Sequence, residues 1–218
     1  MMMDDQCASR KPFPRKKTAL VRGVNGFSMV ELLIVMTVGL IVTAIGFITL
    51  APAMKQIRVS NAYNTTLATI RQAREMAVSN RDIYTVTLSN AAVPSTLIIS
   101  DTNPVNPHVV ETVKLPNDVS FDNEPGIPNT VLTSPDNFGT GAQAIDFAQP
   151  PATQSNVIYF YPDGAARDAN SNLNNGVVYI ARPGELMSSH AISLWGATGR
   201  LRGWRLIYKS GVLTWSQM

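Results

Sequence analysis

The fold of this chain is decided by the stretch Gly26-Phe27-Ser28-Met29-Val30-Glu31 and the apolar run LLIVMTVGLIVTAIGFITLA that follows at residues 32–51. The run contains twenty residues and no charge. At about 1.5 Å per residue, a helix of that length spans about 30 Å, which matches the hydrocarbon core of a bilayer. The sequence therefore predicts one transmembrane helix close to the N-terminus.

Basic residues are concentrated ahead of this run. Residues 1–26 carry six Lys or Arg side chains and two Asp, whereas the rest of the chain is close to neutral. The positive-inside rule places this basic segment in the cytoplasm and the C-terminal part on the other side of the membrane. Cys7 is the only cysteine and lies in the same segment, so residues 27–218 can form no disulfide or thiolate metal site.

Three kinds of segment share an apolar run of this type: a plain single-pass anchor, a secretory signal peptide, and a prepilin signal that is cut before the run. Ala51-Pro52-Ala53 offers a small-residue cleavage pattern, but the apolar part of an ordinary signal peptide has only about 7–15 residues. Glu31 discriminates between the three, because a carboxylate in a membrane helix costs roughly 2.5–3.5 kcal/mol at the bilayer centre and less near its surface.

Only the prepilin interpretation gives Glu31 a use. Cleavage after Gly26 creates a new α-amino group on Phe27, and Glu31 can neutralise that group on a neighbouring subunit inside a filament. Because an unpaired buried charge is expensive, the pair would also set the register of the subunits. We therefore expect processing between Gly26 and Phe27 and a role for Glu31 in assembly.

This segment resembles the start of type IV pilins and of the pseudopilins of type II secretion. Gly26, Phe27, Glu31 four positions later, and the following LLIVMTVGLI carry the resemblance. It implies removal of residues 1–26 by a prepilin peptidase and N-methylation of Phe27. The leader is longer than many in this family, which leaves Met2 and Met3 as alternative start sites.

Helical periodicity continues beyond the apolar run. Pro52, together with Gly39 and Gly46, suggests a kink or a short melted stretch. Apolar residues then recur every three or four positions, at Val59, Tyr63, Leu67, Ile70, Ala73 and Ala77. We expect one helix over residues 27–80, transmembrane over 27–51 and amphipathic over 52–80, whose apolar stripe packs on a sheet of the same domain.

Residues 81–218 have a sequence pattern typical of a β domain: short runs of β-branched and aromatic residues alternate with turn residues. Nine strands are predicted, at residues 83–88, 96–100, 109–115, 144–147, 157–161, 177–181, 191–195, 202–208 and 212–215. Turn signals stand at residues 161–164 (YPDG) and 209–211 (KSG). Residues 116–141 are predicted as a long surface loop or weak strands. The fold class is α+β: a long N-terminal helix followed by an antiparallel, pilin-like β-sheet.

Three stretches resemble the GspH/FimT minor subunits: residues 67–77 with 80–81, residues 157–164, and residues 192–202, which read LATIRQAREMA with NR, VIYFYPDG and ISLWGATGRLR. Residues 90–150 show no such match, and the tail after Arg202 is long enough to add a terminal hairpin. The resemblance implies a minor pseudopilin of a type II secretion system, anchored once in the bacterial inner membrane with its β domain in the periplasm. Its partners would be other pseudopilins or pilins, the inner-membrane assembly platform and the prepilin peptidase.

Signals for catalysis or cofactor binding are weak. His108 and His190 are the only histidines, and no nucleophile elbow is present. We expect no enzymatic activity, no cofactor and no metal; a calcium site built from Asp118, Asp122 and Glu124 is a minor alternative, because Ca²⁺ takes oxygen ligands.

A basic group near the C-terminus leaves two interpretations open. It consists of Arg200, Arg202, Arg205 and Lys209, with Trp204 and Tyr208 interleaved. Arginine and aromatic side chains together can hold a phosphate backbone and stack bases, and Gly199-Arg200-Leu201-Arg202 resembles the GRxR ending through which some FimT-type minor pilins bind DNA for uptake. The alternative is a solvated strand face, since Arg200 and Arg202 alternate with Leu201.

Overall fold

The computed structural model describes residues 26–102, 108–141, 143–147 and 155–218. The chain separates into two compact units, Met1–Ile48 (unit 1) and Thr49–Met218 (unit 2). Apart from Gly26, the predicted leader lies outside the described residues, so its removal stays a prediction.

One long helix, α1, spans Met29–Asn80. It begins two residues later than predicted, because the first helical bond runs from the amide of Leu32 to the carbonyl of Ser28, at 3.0 Å. The backbone stays helical at Gly39, Gly46 and Pro52. The suggested melted stretch is therefore wrong. Each glycine destabilises a helix by only about 1 kcal/mol. Gly39 and Gly46 are seven residues apart, so their effects do not combine at one turn of the helix.

Ten strands follow α1, and all their pairings are antiparallel. They are β1 (Tyr84–Ser89), β2 (Thr96–Asp101), β3 (Val109–Lys114), β4 (Ile145–Asp146), β5 (Val157–Phe160), β6 (Ala166–Arg167), β7 (Gly176–Ile180), β8 (His190–Trp195), β9 (Arg200–Lys209) and β10 (Val212–Gln217). The nine predicted strands are confirmed, with ends shifted by one or two residues. The two-residue β6 was not predicted, since it is too short to show an alternating pattern.

The strands form two sheets rather than the one that the sequence suggested. The first has the order β3-β2-β1-β5-β6, and the second has the order β10-β9-β8-β7-β4. The α+β, pilin-like class is confirmed: a long apolar N-terminal helix is followed by antiparallel sheets.

The main core lies between the later part of α1 and both sheets. The predicted helical stripe is confirmed, since Val59, Tyr63, Ile70, Ala73 and Ala77 are buried in one cluster and Leu67 packs against it. The first sheet contributes side chains from β1, β2 and β5, and the second contributes side chains from β7 and β8: Val86, Leu88, Leu97, Ile99, Ile158, Phe160, Val178, Ile180, Ile192 and Leu194.

Residues 116–141 cover the opposite face of the second sheet. Ile127 and Phe138 from this segment pack with Val177, Tyr179 and Leu206 in a second cluster. Every residue of β7 is therefore buried, on both of its faces. The prediction of a surface loop was wrong in this respect: the segment has little regular structure, yet its apolar residues belong to the core.

The predicted turns are found in the structure. The amide of Gly164 donates to the carbonyl of Tyr161 at 2.8 Å, which closes the YPDG turn between β5 and β6. Lys209 pairs with Val212, and both Ser210 and Gly211 have positive φ. This is the two-residue hairpin connection whose twist suits antiparallel strands. The expected terminal hairpin is thus formed by β9 and β10.

Candidate processing and assembly site

The predicted cleavage point lies in extended chain directly before α1. Gly26, Phe27 and Ser28 are non-helical and exposed, and the Phe27 side chain is 77% accessible. A Cβ atom added to Gly26 would have no neighbour within 4 Å. Among the described residues, the fold therefore places no demand on glycine at this position.

Glu31 lies in the first turn of α1 and is exposed. A carboxylate there interacts favourably with the positive end of the helix dipole, by about 0.3–1 kcal/mol at an exposed site. Within the described part of the chain, no cationic side chain forms an ion pair with it.

The apolar run presents large side chains on all sides of the helix. Leu33, Met36, Leu40, Ile41 and Phe47 are each more than half exposed, and the most hydropathic window of α1 is not buried at all. The hydroxyls of Thr37 and Thr43 donate to the carbonyls of Ile34 and Gly39, at 2.8 and 2.7 Å. In the described residues, α1 alone is long and apolar enough to cross a membrane. The two threonine hydroxyls are hydrogen-bonded within the helix, as a lipid environment requires.

The basic C-terminal residues do not share one surface. All four lie on β9, where successive side chains point to opposite faces of the sheet. Arg202 therefore points to the face covered by residues 116–141, whereas Arg200, at the start of the strand, also borders residues of α1. Arg205 and Lys209 point to the face that packs on α1. The structure separates the group predicted as a unit.

Arg202 is occupied by an internal contact that the sequence did not reveal. Its Nη1 donates to Asp136 Oδ1 at 2.6 Å, and its guanidinium lies 5.5 Å from the centre of the Trp195 ring. Asp136 also accepts from the hydroxyl of Ser193 and from Trp195 Nε1. Its side chain is only 6% exposed, so this cluster fastens residues 116–141 to the second sheet.

Arg74 performs a similar role at the end of α1. Its Nε donates to the carbonyl of Gly164 at 3.2 Å, and its Nη2 donates to the carbonyl of Thr198 at 3.1 Å. It therefore joins the helix to the YPDG turn of the first sheet and to the β8–β9 turn of the second. Arg74 belongs to the LATIRQAREMA stretch, but only the spatial proximity of the two turns reveals this role.

Arg200 remains exposed and lines an open recess of about 520 Å³ with Arg71, Arg74 and Glu75. Three guanidinium groups against one carboxylate make this recess positively charged. Such a recess attracts anions.

The carboxylates considered for calcium have separate partners. Asp118 pairs with Arg58 at 2.9 Å and with Arg182 at 3.6 Å, whereas the buried Glu124 accepts from the amide of Gly184. No cluster of three potential metal ligands occurs among the described residues. Arginine pairing and backbone bonding explain Asp118 and Glu124 without a metal.

The two histidines differ in environment. His108 is exposed directly before β3. His190 is buried, packs on Tyr63 at 5.3 Å between ring centres, and has Nδ1 2.7 Å from the carbonyl of Ser188. Burial, and to a smaller extent the nearby Arg205, lowers the pKa of His190, against the effect of the Ser188 carbonyl. The imidazole is therefore neutral in the folded protein at physiological pH.

Comparison with known proteins gives a match at the N-terminus. Residues 21–47 match the prokaryotic N-terminal methylation motif, which covers Gly26, Phe27, Glu31 and most of the apolar run. No curated protein and no solved structure matches the chain. The motif belongs to prepilins that are processed, anchored through one apolar helix, and assembled into filaments. The chain thus carries the N-terminal processing and anchoring motif of type IV pilin-like proteins, ahead of an α+β domain of pilin-like architecture.

Proposed function

We propose that the protein is a minor pseudopilin, similar to GspH, in the pseudopilus of a type II secretion system. In this proposal, residues 1–26 are removed, Phe27 is methylated, and α1 then packs among the helices of neighbouring subunits. Unit 2 lies on the periplasmic side of the inner membrane. The role is structural, in protein secretion, and requires no cofactor or catalytic activity.

The exposed apolar surface of α1 is the observation that carries the proposal. Burying one large aliphatic or aromatic side chain contributes about 1.5–3 kcal/mol, and more than ten such side chains of residues 29–50 are exposed within this subunit. A bilayer or a bundle of other subunits' helices must cover them. In a filament subunit, the bilayer covers these side chains before assembly, and the helices of neighbouring subunits cover them afterwards.

Glu31 supplies the specificity that apolar packing lacks. In a filament core, the Phe27 α-amino group of one subunit would pair with the Glu31 carboxylate of the next. Removing one member of a buried pair typically costs about 3–5 kcal/mol, so subunits would be held at one axial offset. Other pseudopilins, the inner-membrane assembly platform and the prepilin peptidase would be the partners.

The first test is mass spectrometry of the protein extracted from membranes of a host with a prepilin peptidase. The expected product begins with N-methylated Phe27. Gly26→Glu should leave the full leader in place, whereas Gly26→Ala, a much smaller change, should still be processed. A wild-type product that begins at Met54 or retains residues 1–26 would refute the proposal.

The second test addresses assembly. Glu31→Gln removes the charge but nearly keeps the side-chain volume, so membrane insertion and processing should persist while incorporation into sheared filaments falls at least tenfold. Thr37→Val provides a matched control on the same helix. Normal incorporation of the Glu31→Gln variant would rule out the pairing.

A second candidate function has one observation in its favour, the recess lined by Arg71, Arg74 and Arg200. In a FimT-like minor pilin of a type IV pilus, such a recess would hold the phosphate backbone of DNA during uptake. Contacts of this kind weaken steeply with salt. A gel-shift titration of the detergent-solubilised protein should then show salt-sensitive binding that Arg71→Gln with Arg200→Gln reduces and Lys114→Gln, on β3, does not. Equal retardation of all three proteins would exclude the recess as a DNA site.

A further inference from the structure

The tip of the β9–β10 hairpin, residues 207–212, projects beyond the rest of the second sheet. Strand β8 pairs with β9 only from Arg200 to Arg205, and a last bond joins the amide of Leu206 to the carbonyl of Ser189. Beyond this point β9 is paired only with β10. Tyr208 and Val212 are 67% and 65% exposed, so the tip is a two-stranded ribbon with apolar side chains in solvent.

The direction of β9 relative to α1 shows where this tip points. Arg200 shares a recess with Arg71 and Glu75, Gly203 lies against the hydroxyl of Tyr63, and Arg205 shares a second recess with Pro52 and Lys55. Moving along β9 thus means moving backwards along the helix. Four more residues extend the strand by about 13 Å. The tip therefore lies at the end of unit 2 where α1 enters it.

This end of unit 2 is basic and amphipathic. Lys55 and Arg205 line the recess near Pro52 together with the 3-10 turn Leu186–Ser188, in which Met187 is half exposed. Lys209 is exposed at the tip next to Tyr208. Glu185 is the acidic group here, and it is already paired with Arg182 at 2.6 Å and lies 3.9 Å from Lys55.

We propose that the hairpin tip, with the adjacent basic surface, rests on the anionic phospholipid headgroups of the membrane in which the subunit is anchored. This inference depends on the proposed role of the apolar run as a membrane anchor. Pro52 is the residue that follows that run directly, so the end of unit 2 that carries Pro52 is tethered at the bilayer surface.

The chemistry of the tip fits a headgroup layer better than a second protein. Tyrosine is enriched at membrane interfaces, where its amphipathic ring lies at the level of the headgroups. Basic side chains near an anionic surface are attracted to it. Tyr208 and Val212 supply the apolar part, and Lys209 and Arg205 supply the charge. The contact would hold unit 2 in one orientation before the subunit leaves the bilayer.

Site-specific fluorescence on the full chain tests the contact. Cys7→Ser removes the only native thiol, and Ser210→Cys places an environment-sensitive label at the tip. Ala197→Cys, at the exposed turn at the other end of β9, is the matched control. Both proteins are reconstituted at low protein density into vesicles of phosphatidylethanolamine with one quarter phosphatidylglycerol.

We expect the label at residue 210 to shift to the blue and to become at least threefold less accessible to aqueous iodide, with no change at residue 197. Tyr208→Ser with Lys209→Gln should abolish this protection, and vesicles of phosphatidylcholine alone should reduce it. Equal iodide quenching at both positions would overturn the inference. Protection that grows with protein density would also overturn it, because a second copy would then be covering the tip.

Resistance of the vesicle-bound protein to alkaline carbonate extraction is measured in parallel. If the protein resists extraction but residue 210 stays accessible, the headgroup contact is wrong and the anchor stands. If the protein is extracted, the anchor itself has failed.

Discussion

Replacing Arg202 with Gln tests whether the pair with Asp136 stabilises unit 2. Asp136 comes from residues 116–141, and Arg202 comes from β9 in the second sheet. Arg202→Gln removes the charge that compensates a carboxylate whose side chain is 6% exposed. The variant keeps a polar side chain of similar length, so it probes charge and geometry rather than bulk.

The expected cost follows from the environment of the two groups. Breaking a buried ion pair costs about 3–5 kcal/mol. The Arg202 side chain is 26% exposed, so water screens part of the interaction, and Ser193 and Trp195 continue to donate to Asp136. The contact of the guanidinium with the Trp195 ring is lost as well. We therefore expect the free energy of unfolding to fall by roughly 2–4 kcal/mol. For a unit of this size, that corresponds to a fall in Tm of about 4–15 °C.

Chemical unfolding of the detergent-solubilised chain, followed by tryptophan fluorescence, measures this loss directly. Trp195 contacts both members of the pair, so its emission reports the cluster. Arg200→Gln is the matched control: it lies two residues away on the same face of β9, is exposed, and should change stability by less than about 0.5 kcal/mol. If the two variants are equally stable, the cluster does not hold residues 116–141 in place and the reasoning is refuted.

Two further predictions concern a close backbone contact and a buried imidazole. Gly199 and Gly211 both have positive φ. Of the two, only Gly199 has a neighbour that an added Cβ would overlap, the carbonyl oxygen of Gly164. In equilibrium unfolding, Gly199→Ala should therefore lower the free energy of unfolding by roughly 3–5 kcal/mol and Gly211→Ala by about 1–2 kcal/mol. Similar losses for both would show that backbone strain alone matters. Because burial lowers the pKa of His190 in the folded state, the unfolded chain binds the proton more readily, and the stabilisation present above about pH 6.5 is lost as the pH falls below it. Stability measured between pH 7 and pH 5 should decline less in His190→Phe than in the wild type, and parallel pH profiles would contradict this assignment.

Local patterns predicted the elements of unit 2 better than their arrangement. Strand β8 is an example. Its β-branched and aromatic residues, bounded by turn residues, identify it as a strand without any knowledge of the strands beside it. Nothing in the sequence of β8 tells which strand it pairs with, or that residues 116–141 cover its far side. Phe138 is buried in that segment. It stands among turn residues and belongs to no periodic apolar pattern, so the sequence predicted a surface loop or weak strands there.

The basic tail shows the same limit for the candidate site. Alternation of Arg200 and Arg202 with Leu201 is typical of a strand, and both arginines do lie on β9. The contact that distinguishes Arg202 from Arg200 comes from Asp136, 66 positions earlier in the chain. An aspartate next to a proline in an irregular segment carries no local signal for such a pairing.

The sequence by itself determined the membrane helix, the motif at Gly26, Phe27 and Glu31, and the order of a long helix followed by antiparallel strands. These features depend on length, periodicity and chemistry within a few neighbouring residues. Tertiary structure alone decided that the strands divide into two sheets, that Arg74 and Asp136 join separate segments, and that the final hairpin points towards the start of unit 2. Such features depend on contacts between residues distant in the chain, whose energies arise only when packing brings the groups together.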